Sequence, residues 1–203
     1  MAPLIRLAHE GDAAGVLAIY APVVRDTAIS FELEPPSPDD MRERIRSLQS
    51  RAPWLVCGDG AETWGYAYGD RFRPRAAYQW SAEVTVYVSP SRQRRGVGRA
   101  LYTSLLAALR LLGYRNAFAA ITLPNPGSVG LHEGLGFRPA GLLRAAGFKF
   151  GQWHDVGWLQ LELQPLGRPD APPSTVAMVE ASAEWRAALS RGLPQLRDPG
   201  SPS

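Results

Sequence analysis

The chain has 203 residues, a length that suits one α/β domain with short appendages. Its content of 45% hydrophobic and 20% charged residues is ordinary for a globular protein with a sizeable core. The net charge of +3 comes largely from arginines at 71–75 and 92–95. This clustering favours a small anionic ligand, and a nucleic-acid partner is the weaker interpretation.

The cysteine content and the hydrophobic pattern bear on the compartment. The single cysteine, Cys57, has no partner for an internal disulfide, which fits a reducing cytoplasm. It lies in the apolar run 54–57, so we interpret it as a core thiol and not as a nucleophile. No stretch approaches about 18 apolar residues, and the start of the chain lacks a long apolar segment. We therefore expect a cytoplasmic protein without a signal peptide or a membrane contact.

The first half of the chain alternates between strand and helix patterns. Asp12 is a candidate cap for a helix with one apolar face, and Pro22 is expected to end or kink that helix. The predicted elements are a strand at 4–7, helices at 13–24 and 39–49, strands at 54–57 and 63–68, and a long strand at 78–88.

The second half begins with a helix that carries leucines at every fourth position, which predicts packing against a sheet. Gly113 is expected to close this helix. The further elements are a strand at 114–121, a short helix that Ser128 caps and that ends at 134, and strands at 141–150 and 154–163.

The composition changes after Pro165. Residues 169–173 resemble a linker, residues 178–189 have helical periodicity, and residues 194–203 look disordered. We assign 1–166 to one domain and 167–203 to a Pro-rich linker, a short helix and a disordered tail. The sequence leaves open whether the helix docks on the domain or is loose.

The segment 84–100 has the organisation of a phosphate-binding site. A β-branched strand is followed by a short basic loop and an amphipathic helix. Gly96 and Gly98 allow a tight bend and a close approach of the backbone to a ligand. The first amides of the helix lack internal partners, and Arg94, Arg95 and Arg99 add positive charge. The loop is neither a Walker loop nor a dinucleotide fingerprint, because its glycine spacing and following residues differ.

The loop sequence Gln-x-x-Gly-x-Gly at 93–98 resembles the pyrophosphate loop of the GNAT N-acetyltransferases. Further segments, between about residues 4 and 165, resemble the phosphinothricin N-acetyltransferase-like branch of that family. These segments are 30–32, 53–56, 66–68, 77–80, 83–89, 101–106, 131–133 and 143–157.

The resemblance implies the GNAT fold, an α/β (α+β) arrangement in which helices flank a mixed, mostly antiparallel sheet with a splayed, bulged strand. It also implies acetyl-CoA as co-substrate and no metal. In the family, the splayed strand holds the pantetheine arm and the loop holds the diphosphate. The implied cofactor-binding residues are Val86, Tyr87, Val88, Arg94, Arg95, Gly96, Val97, Gly98, Arg99 and Asn125. For Asn125 the alternative is a turn role, since Asn-Pro is a turn dipeptide.

Two residues are candidates for proton transfer. Glu83 lies just upstream of the loop, where the family places a glutamate that removes a proton from the acceptor amine. Partial burial is expected to raise its pKa above the ordinary value, and the alternative role is electrostatic binding of the substrate ammonium. His132 stands where many GNAT enzymes have a tyrosine as general acid, and its alternative is a structural role.

The acceptor is expected to contact Phe31, Glu32, Arg73, Arg75 and Tyr78. Guanidinium groups suit an α-carboxylate or a phosphinate, which favours an amino-acid-like acceptor. The sequence at 71–80 departs from the phosphinothricin enzymes, which have a Lys-x-Arg loop followed by Asn-Ala-Tyr-Asp-Trp. The departure falls in the region that would contact the acceptor.

The resemblance implies an N-acetyltransferase that transfers acetyl directly in a ternary complex, since Cys57 is a poor acyl carrier. The implied acceptors are phosphinothricin, methionine sulfone or methionine sulfoximine, a chemistry linked to antibiotic and herbicide resistance. A homodimer is also expected. The alternatives are acetylation of a peptide N-terminus or a polyamine, a non-catalytic acyl-CoA-binding module, and a basic nucleic-acid binder.

Overall fold

The computed structural model describes residues 2–169 and 171–197. Within these residues, seven strands form one sheet that is flanked by helices. The elements are β1 (Leu4–Leu7), α1 (Ala13–Asp26), α2 (Pro38–Gln49), β2 (Trp54–Gly58), β3 (Thr63–Arg71), β4 (Ser81–Val88), α3 (Val97–Leu111), β5 (Asn116–Leu123), α4 (Pro126–Glu133), β6 (Arg138–Lys149), β7 (Gln152–Glu162), α5 (Val176–Val179) and α6 (Ala183–Ser190). No helix among the described residues has both the length and the apolar character needed to cross a bilayer.

The strand order is β1-β2-β3-β4-β5-β7-β6, and every neighbouring pair is antiparallel except β4 and β5. This arrangement confirms the predicted mixed, mostly antiparallel sheet. One face of the sheet is covered by α3, whose predicted leucine stripe is fully buried. The other face is covered by α1 and α2, with a second core around Val16, Ile45 and Tyr66. The two apolar faces fix the sheet between helical layers.

The strands β4 and β5 separate after a short parallel contact. Their register runs only from Ser81–Asn116 to Glu83–Phe118, whereas β4 pairs with β3 along its whole length without a shift. The structure thus contains the expected splay, but the expected bulge is absent from the β3–β4 register described here. The splay arises because the two parallel strands diverge, and it opens a gap beside residues 84–88.

Several predicted boundaries differ from the structure. α1 continues through Pro22 to Asp26, because Val24 beyond the proline is fully buried and its packing offsets the lost backbone hydrogen bond. The long strand predicted from residue 78 begins only at Ser81, since residues 76–78 form a 3₁₀ turn. The short helix α4 is capped by the side chain of Asn125, which accepts from the amide of Ser128, and not by Ser128 itself.

The segment after β7 docks on the domain. The amide of Ser174 donates to the carbonyl of Leu112, and Trp185 is buried against α3. The predicted single helix is divided in two, because Ser182 caps a new helix by accepting from the amide of Trp185. Residues 194–197, expected to be disordered, lie against the loop 93–98. Residues 198–203, for which disorder was also expected, fall outside the described part.

Candidate active site

A cavity of about 320 Å³ lies at the gap between β4 and β5. Its walls come from β3, β4, β5, α3, α4, β7 and the segment that follows α1. The lining residues are Ile29, Ser30, Phe31, Tyr68, Glu83, Val84, Thr85, Val86, Tyr87, Tyr102, Ala119, Ala120, Ile121, Thr122, Asn125, Ser128, His132 and Val156. Six of the residues predicted for the site are therefore brought together here: Phe31, Glu83, Val86, Tyr87, Asn125 and His132.

The gap exposes backbone donors of β4. The amide of Ser89 donates to the carbonyl of Trp64 at 2.9 Å, so odd-numbered residues of this segment exchange hydrogen bonds with β3. Along a strand, the backbone N–H and C=O groups of successive residues point alternately to the two neighbouring strand positions. Val84, Val86 and Val88 consequently direct their amides and carbonyls toward the gap, where β5 has already diverged. This row of backbone groups is suited to an extended ligand that pairs as an additional strand.

Glu83 lies at the last parallel pair, where the gap begins. Its side chain is about one-third exposed. Desolvation raises the pKa of the Glu83 carboxyl, the nearby Arg73 guanidinium opposes this, and Asp70 adds to the increase. The guanidinium nitrogen of Arg73 is 4.0 Å from the carboxylate oxygen of Glu83. The net increase is in the direction expected from the sequence and suits a proton acceptor in the cavity.

His132 reaches the cavity next to Tyr102. The imidazole is buried, and its Nδ1 lies 2.7 Å from the carbonyl of Ser128, which can only accept. Nδ1 is therefore the protonated nitrogen, and Nε2 accepts from the Tyr102 hydroxyl at 3.0 Å. Burial lowers the pKa of His132, which favours this neutral form. The hydroxyl of Tyr102 also lies 3.3 Å from the carbonyl of Val84, which is a second possible acceptor for its single proton.

The glycine-bearing loop 93–98, which we call the phosphate loop after its predicted role, lies past the end of β4. Gly96 has φ +79° and Arg94 has φ +59°, and both values belong to the left-handed region. The first helical hydrogen bond of α3 runs from the amide of Ala100 to the carbonyl of Gly96. The amides of residues 97–99 precede that bond and lie at the positive end of the helix dipole.

The arginines of this loop have different surroundings. The side chain of Arg94 is exposed, and that of Arg95 is half-buried. Arg99 donates to the carbonyl of Gly134 at 3.0 Å, so its guanidinium is already held by the end of α4. Gly98 is packed closely, since an added Cβ would lie 3.3 Å from Leu131.

The geometry of Asn125 allows both roles that the sequence suggested, a turn role and a contact with a ligand. Its side-chain oxygen accepts from the amide of Ser128 at 3.1 Å, which is the turn role. Since this bond uses the oxygen, the side-chain NH₂ remains as the donor for a ligand, and the residue lines the cavity.

The two neighbouring residues Phe31 and Glu32 have different environments. Phe31 lines the cavity and lies against Gly147, where an added Cβ would overlap the phenyl ring. The structure does not bring Glu32 to the cavity. Its carboxylate accepts from Tyr20 at 2.9 Å and from Arg44 at 2.7 Å, and this ion pair ties the segment to α1 and α2.

Arg73 of the basic loop 71–75 approaches the carboxylate of Glu83, although Arg73 is not among the residues that line the cavity. The guanidinium of Arg73 lies over the rings of Phe72 and Trp158, with its central carbon 4.5 and 5.2 Å from the ring centroids. Arg75 and Tyr78, also predicted to bind the acceptor, are exposed and do not line the cavity. The ring of Tyr78 packs edge-on against Phe72 at 5.8 Å.

The sequence reasoning missed Tyr102, which lines the cavity, and Lys149, which holds the backbone of the segment that carries Phe31. Tyr102 was hidden in an apolar helix pattern, and no local signal separates it from a core tyrosine. Lys149 is the only lysine of a chain that has 21 arginines. Its buried ammonium donates to the carbonyls of Val24, Ser30 and Glu32 at 2.6 to 2.8 Å. That singular lysine was a signal, since an ammonium suits three converging carbonyls and a planar guanidinium does not.

Two further observations concern the chemistry of the site. Cys57 is buried, and desolvation raises its pKa to about 12. Its thiol is therefore protonated and unsuited to act as a nucleophile. The described residues contain no group of three or more His, Cys, Asp or Glu side chains that could hold a metal ion.

Splayed strands beside a glycine-bearing loop are the arrangement that the resemblance to the GNAT family predicted. The sequence pattern of the acetyltransferase (GNAT) domain matches residues 5–158, and the chain belongs to this family. Phosphinothricin N-acetyltransferase of Streptomyces viridochromogenes is 41% identical over 175 residues, which cover 86% of this chain and 95% of that protein.

Two further relatives extend the comparison. An L-methionine sulfoximine/L-methionine sulfone acetyltransferase of Pseudomonas aeruginosa is 37% identical over 81% of this chain and 97% of its own length. The crystal structure of a phosphinothricin acetyltransferase from Sinorhizobium meliloti in complex with AcCoA superposes with a TM-score of 0.78. That structure is 33% identical and covers 85% of this chain and 94% of its own.

Proposed function

We propose that the protein transfers the acetyl group of acetyl-CoA to the amino group of a small amino-acid analogue of the phosphinothricin or methionine sulfone/sulfoximine type. The observation that carries this proposal is the position of Glu83. Its carboxylate lies where β4 leaves β5, next to Arg73 and at the start of the exposed β4 amides. A candidate proton acceptor and a candidate thioester-binding edge thus line one cavity, and a guanidinium lies 4.0 Å from the carboxylate.

The site fits acetyl-CoA. The amides of residues 97–99 and the arginines of the loop suit its diphosphate, and the backbone of Val86 and Val88 suits its pantetheine arm. When bound, acetyl-CoA supplies an activated acyl group. An amide of β4 directed at the thioester oxygen would stabilise the negative charge that develops there.

Glu83 acts as the base in this proposal. An amino group is mostly protonated at neutral pH and must lose a proton before it attacks. The raised pKa of Glu83 makes its carboxylate a stronger proton acceptor than an ordinary glutamate, directly or through one water. Electrostatic attraction of the substrate ammonium is compatible with this role.

We assign the contact with the departing sulfur to Tyr102. Burial raises its pKa, so the phenol stays protonated, and its single proton would turn from Nε2 of His132 to the sulfur. His132 uses its own N–H on the carbonyl of Ser128 and therefore acts through the phenol. In this arrangement His132 is a positioning residue, and the general-acid role expected from the sequence passes to its neighbour.

Acceptor recognition is assigned to Phe31 and Arg73. Phe31 forms an apolar wall, and Arg73 offers a guanidinium fork to a carboxylate or a phosphinate within reach of the base. Arg75 and Tyr78 lie outside the cavity lining, and we propose that they contact the acceptor at the cavity entrance. Glu32 is assigned to holding the Phe31 segment and not to contact with the acceptor.

An acceptor panel tests the reaction class. Release of thiol from acetyl-CoA should be fast with phosphinothricin, methionine sulfone or methionine sulfoximine, and slow with a dipeptide or spermidine. Faster turnover of the dipeptide would favour peptide N-terminal acetylation instead. Tight acetyl-CoA binding without turnover of any amine would support the non-catalytic module.

We also infer that the protein is a homodimer through β6 and β7. β6 has 12 residues and is the edge of the sheet, where unpaired backbone groups are open to association. The same hairpin exposes large apolar side chains, and Trp153 is 64% exposed. The others are Leu142, Leu143, Phe148 and Phe150. Such a concentration of apolar surface supports burial against a second copy.

A cytoplasmic location is proposed on two grounds. Cys57 is a buried free thiol, which is typical of proteins from reducing compartments. The co-substrate is itself a thiol ester of cellular metabolism. Fractionation of cells that produce the protein should recover the activity in the cytoplasmic fraction, and recovery elsewhere would contradict the proposal.

A further inference from the structure

Residues 189–197, which we call the C-terminal strap, lie across the start of α3. The amide of Gly192 donates to the hydroxyl of Ser104 at 3.0 Å, and that hydroxyl donates to the carbonyl of Leu189 at 2.6 Å. A Cβ added at Gly192 would overlap the carbonyl oxygen of Ala100. Glycine is therefore what lets the strap approach the helix backbone this closely.

The strap continues onto the phosphate loop itself. The amide of Arg197 donates to the carbonyl of Arg95 at 3.1 Å. A Cβ added at Gly96 would overlap the carbonyl oxygen of Gln195, so the two backbones are in direct contact at the turn. Leu193 and Leu196 pack against the main core and fix the strap in this position. The loop is thus held by the strap as well as by its own helix.

The phosphate loop needs such support because of its backbone conformation. Arg94 and Gly96 both have positive φ values, and this region is unfavourable for an arginine. Strained backbone persists where the surrounding structure holds it. The strap lies beyond residue 158, where the match to the GNAT domain pattern ends, so this support is added to the domain.

We propose that the C-terminal strap is a positioning element for acetyl-CoA binding. Anchored through Gly192, it holds residues 94–96 in the conformation that presents the amides of 97–99 to the diphosphate. This inference rests on the proposed function, because it takes the loop as the binding site of the CoA diphosphate. Since energetic coupling is reciprocal, bound CoA must in turn stabilise the docked strap.

Displacement of the strap in the full chain tests the proposal. Gly192→Val places a side chain against the carbonyl of Ala100, and Gly167→Val is the matched control because its Cβ would meet nothing within 4 Å. Calorimetric titration with CoA should give a Kd about tenfold higher for Gly192→Val and unchanged for Gly167→Val. The KM for acetyl-CoA should rise likewise, while kcat and the acceptor KM stay the same.

Ser104→Ala is the second variant, and it keeps the test valid if Gly192→Val does not fold. It removes both strap hydrogen bonds without adding bulk, so a smaller increase in Kd is expected. In the unmodified protein, CoA should slow hydrogen exchange at the amides of Gly192 and Arg197. A folded Gly192→Val or Ser104→Ala protein with unchanged CoA affinity would overturn the strap proposal alone. Absence of CoA binding to the unmodified protein would overturn the proposed function as well.

Discussion

At the scale of single residues, Arg73 and Glu83 set each other's electrostatic environment. Burial raises the pKa of Glu83, and the Arg73 guanidinium 4.0 Å away opposes the increase. The base form is the carboxylate, so kcat/KM should rise with pH through a limb that lies above the ordinary glutamate pKa. The position of this limb therefore reports on the pair.

The first prediction concerns that limb. Arg73→Met removes the charge that lowers the pKa of Glu83, so the acid limb of kcat/KM should move to higher pH by about one unit. Arg46→Met, which removes an exposed arginine of α2, should leave the limb in place. The pH profile of kcat/KM checks both variants. An unmoved limb in Arg73→Met, or a shift to lower pH, would show that another group titrates.

Lys149 carries the second prediction. Replacement by methionine leaves three carbonyls, those of Val24, Ser30 and Glu32, without their buried donor. The free energy of unfolding should fall by about 3–5 kcal/mol. Lys149→Arg should restore little of this loss, because a planar guanidinium cannot point three donors at one converging set. Urea denaturation measures both variants, and full rescue by arginine would refute the geometric argument.

The role of a residue could not be predicted from the sequence where it depends on neighbours that are distant along the chain. The position of Glu83 at the cavity was predictable because this residue precedes a recognisable loop. The contacts of Glu32 with Arg44 and Tyr20 were not predictable, because these residues approach its carboxylate only in the folded chain. Tyr102 likewise becomes distinct from a core residue only when His132 of another helix reaches its hydroxyl.

At the scale of elements, the cavity depends on a contact between α3 and α4. Tyr102 from α3 and His132 from α4 share a hydrogen bond of 3.0 Å, and the phenol also meets the carbonyl of Val84. If the histidine acts through the phenol, the two side chains form one functional unit across the two helices.

A double-mutant cycle is the third prediction. Tyr102→Phe and His132→Asn should each lower kcat by about tenfold, and the double variant should lose little more than either alone. Steady-state kinetics at saturating acetyl-CoA gives the coupling. Fully additive losses would mean that the two groups act independently.

Elements with a strong period were predictable, and elements set by caps or pairing were not. The leucine stripe of α3 predicted its buried face, as the sheet requires. The break between α5 and α6 was missed because the cap of Ser182 outweighs the apolar period. The origin of the splay was also missed, since it depends on where the pairing of β4 with β5 ends.

At the scale of the whole molecule, the exposed β6–β7 hairpin gives the fourth prediction. Light scattering should give the mass of a dimer in solution. Trp153→Ser should weaken the dimer by about tenfold or more, because a large side chain returns from the interface to water. Leu166→Ser removes a similarly exposed apolar residue away from the hairpin and should have no effect. A monomeric unmodified protein would contradict the proposed assembly.

The overall architecture followed from the sequence more completely than the placement of its last segment. Family-like segments spread along most of the domain predicted the sheet, its helical layers and the cavity region. The position of the strap could not be predicted, because its contacts at Gly192 and Gln195 are between backbone atoms. Backbone contacts produce no hydrophobic period in the sequence. Such contacts become visible only when the two chain segments are placed side by side.

The most direct measurement of the central claim is acetyl transfer to phosphinothricin by the unmodified protein and by Glu83→Gln, with CoA affinity determined for both. The account predicts that Glu83→Gln binds CoA as tightly as the unmodified protein but turns over at least about a hundredfold more slowly. Undiminished turnover by Glu83→Gln would contradict the assignment of the base, and no transfer by the unmodified protein to any amino-acid analogue would contradict the proposed activity.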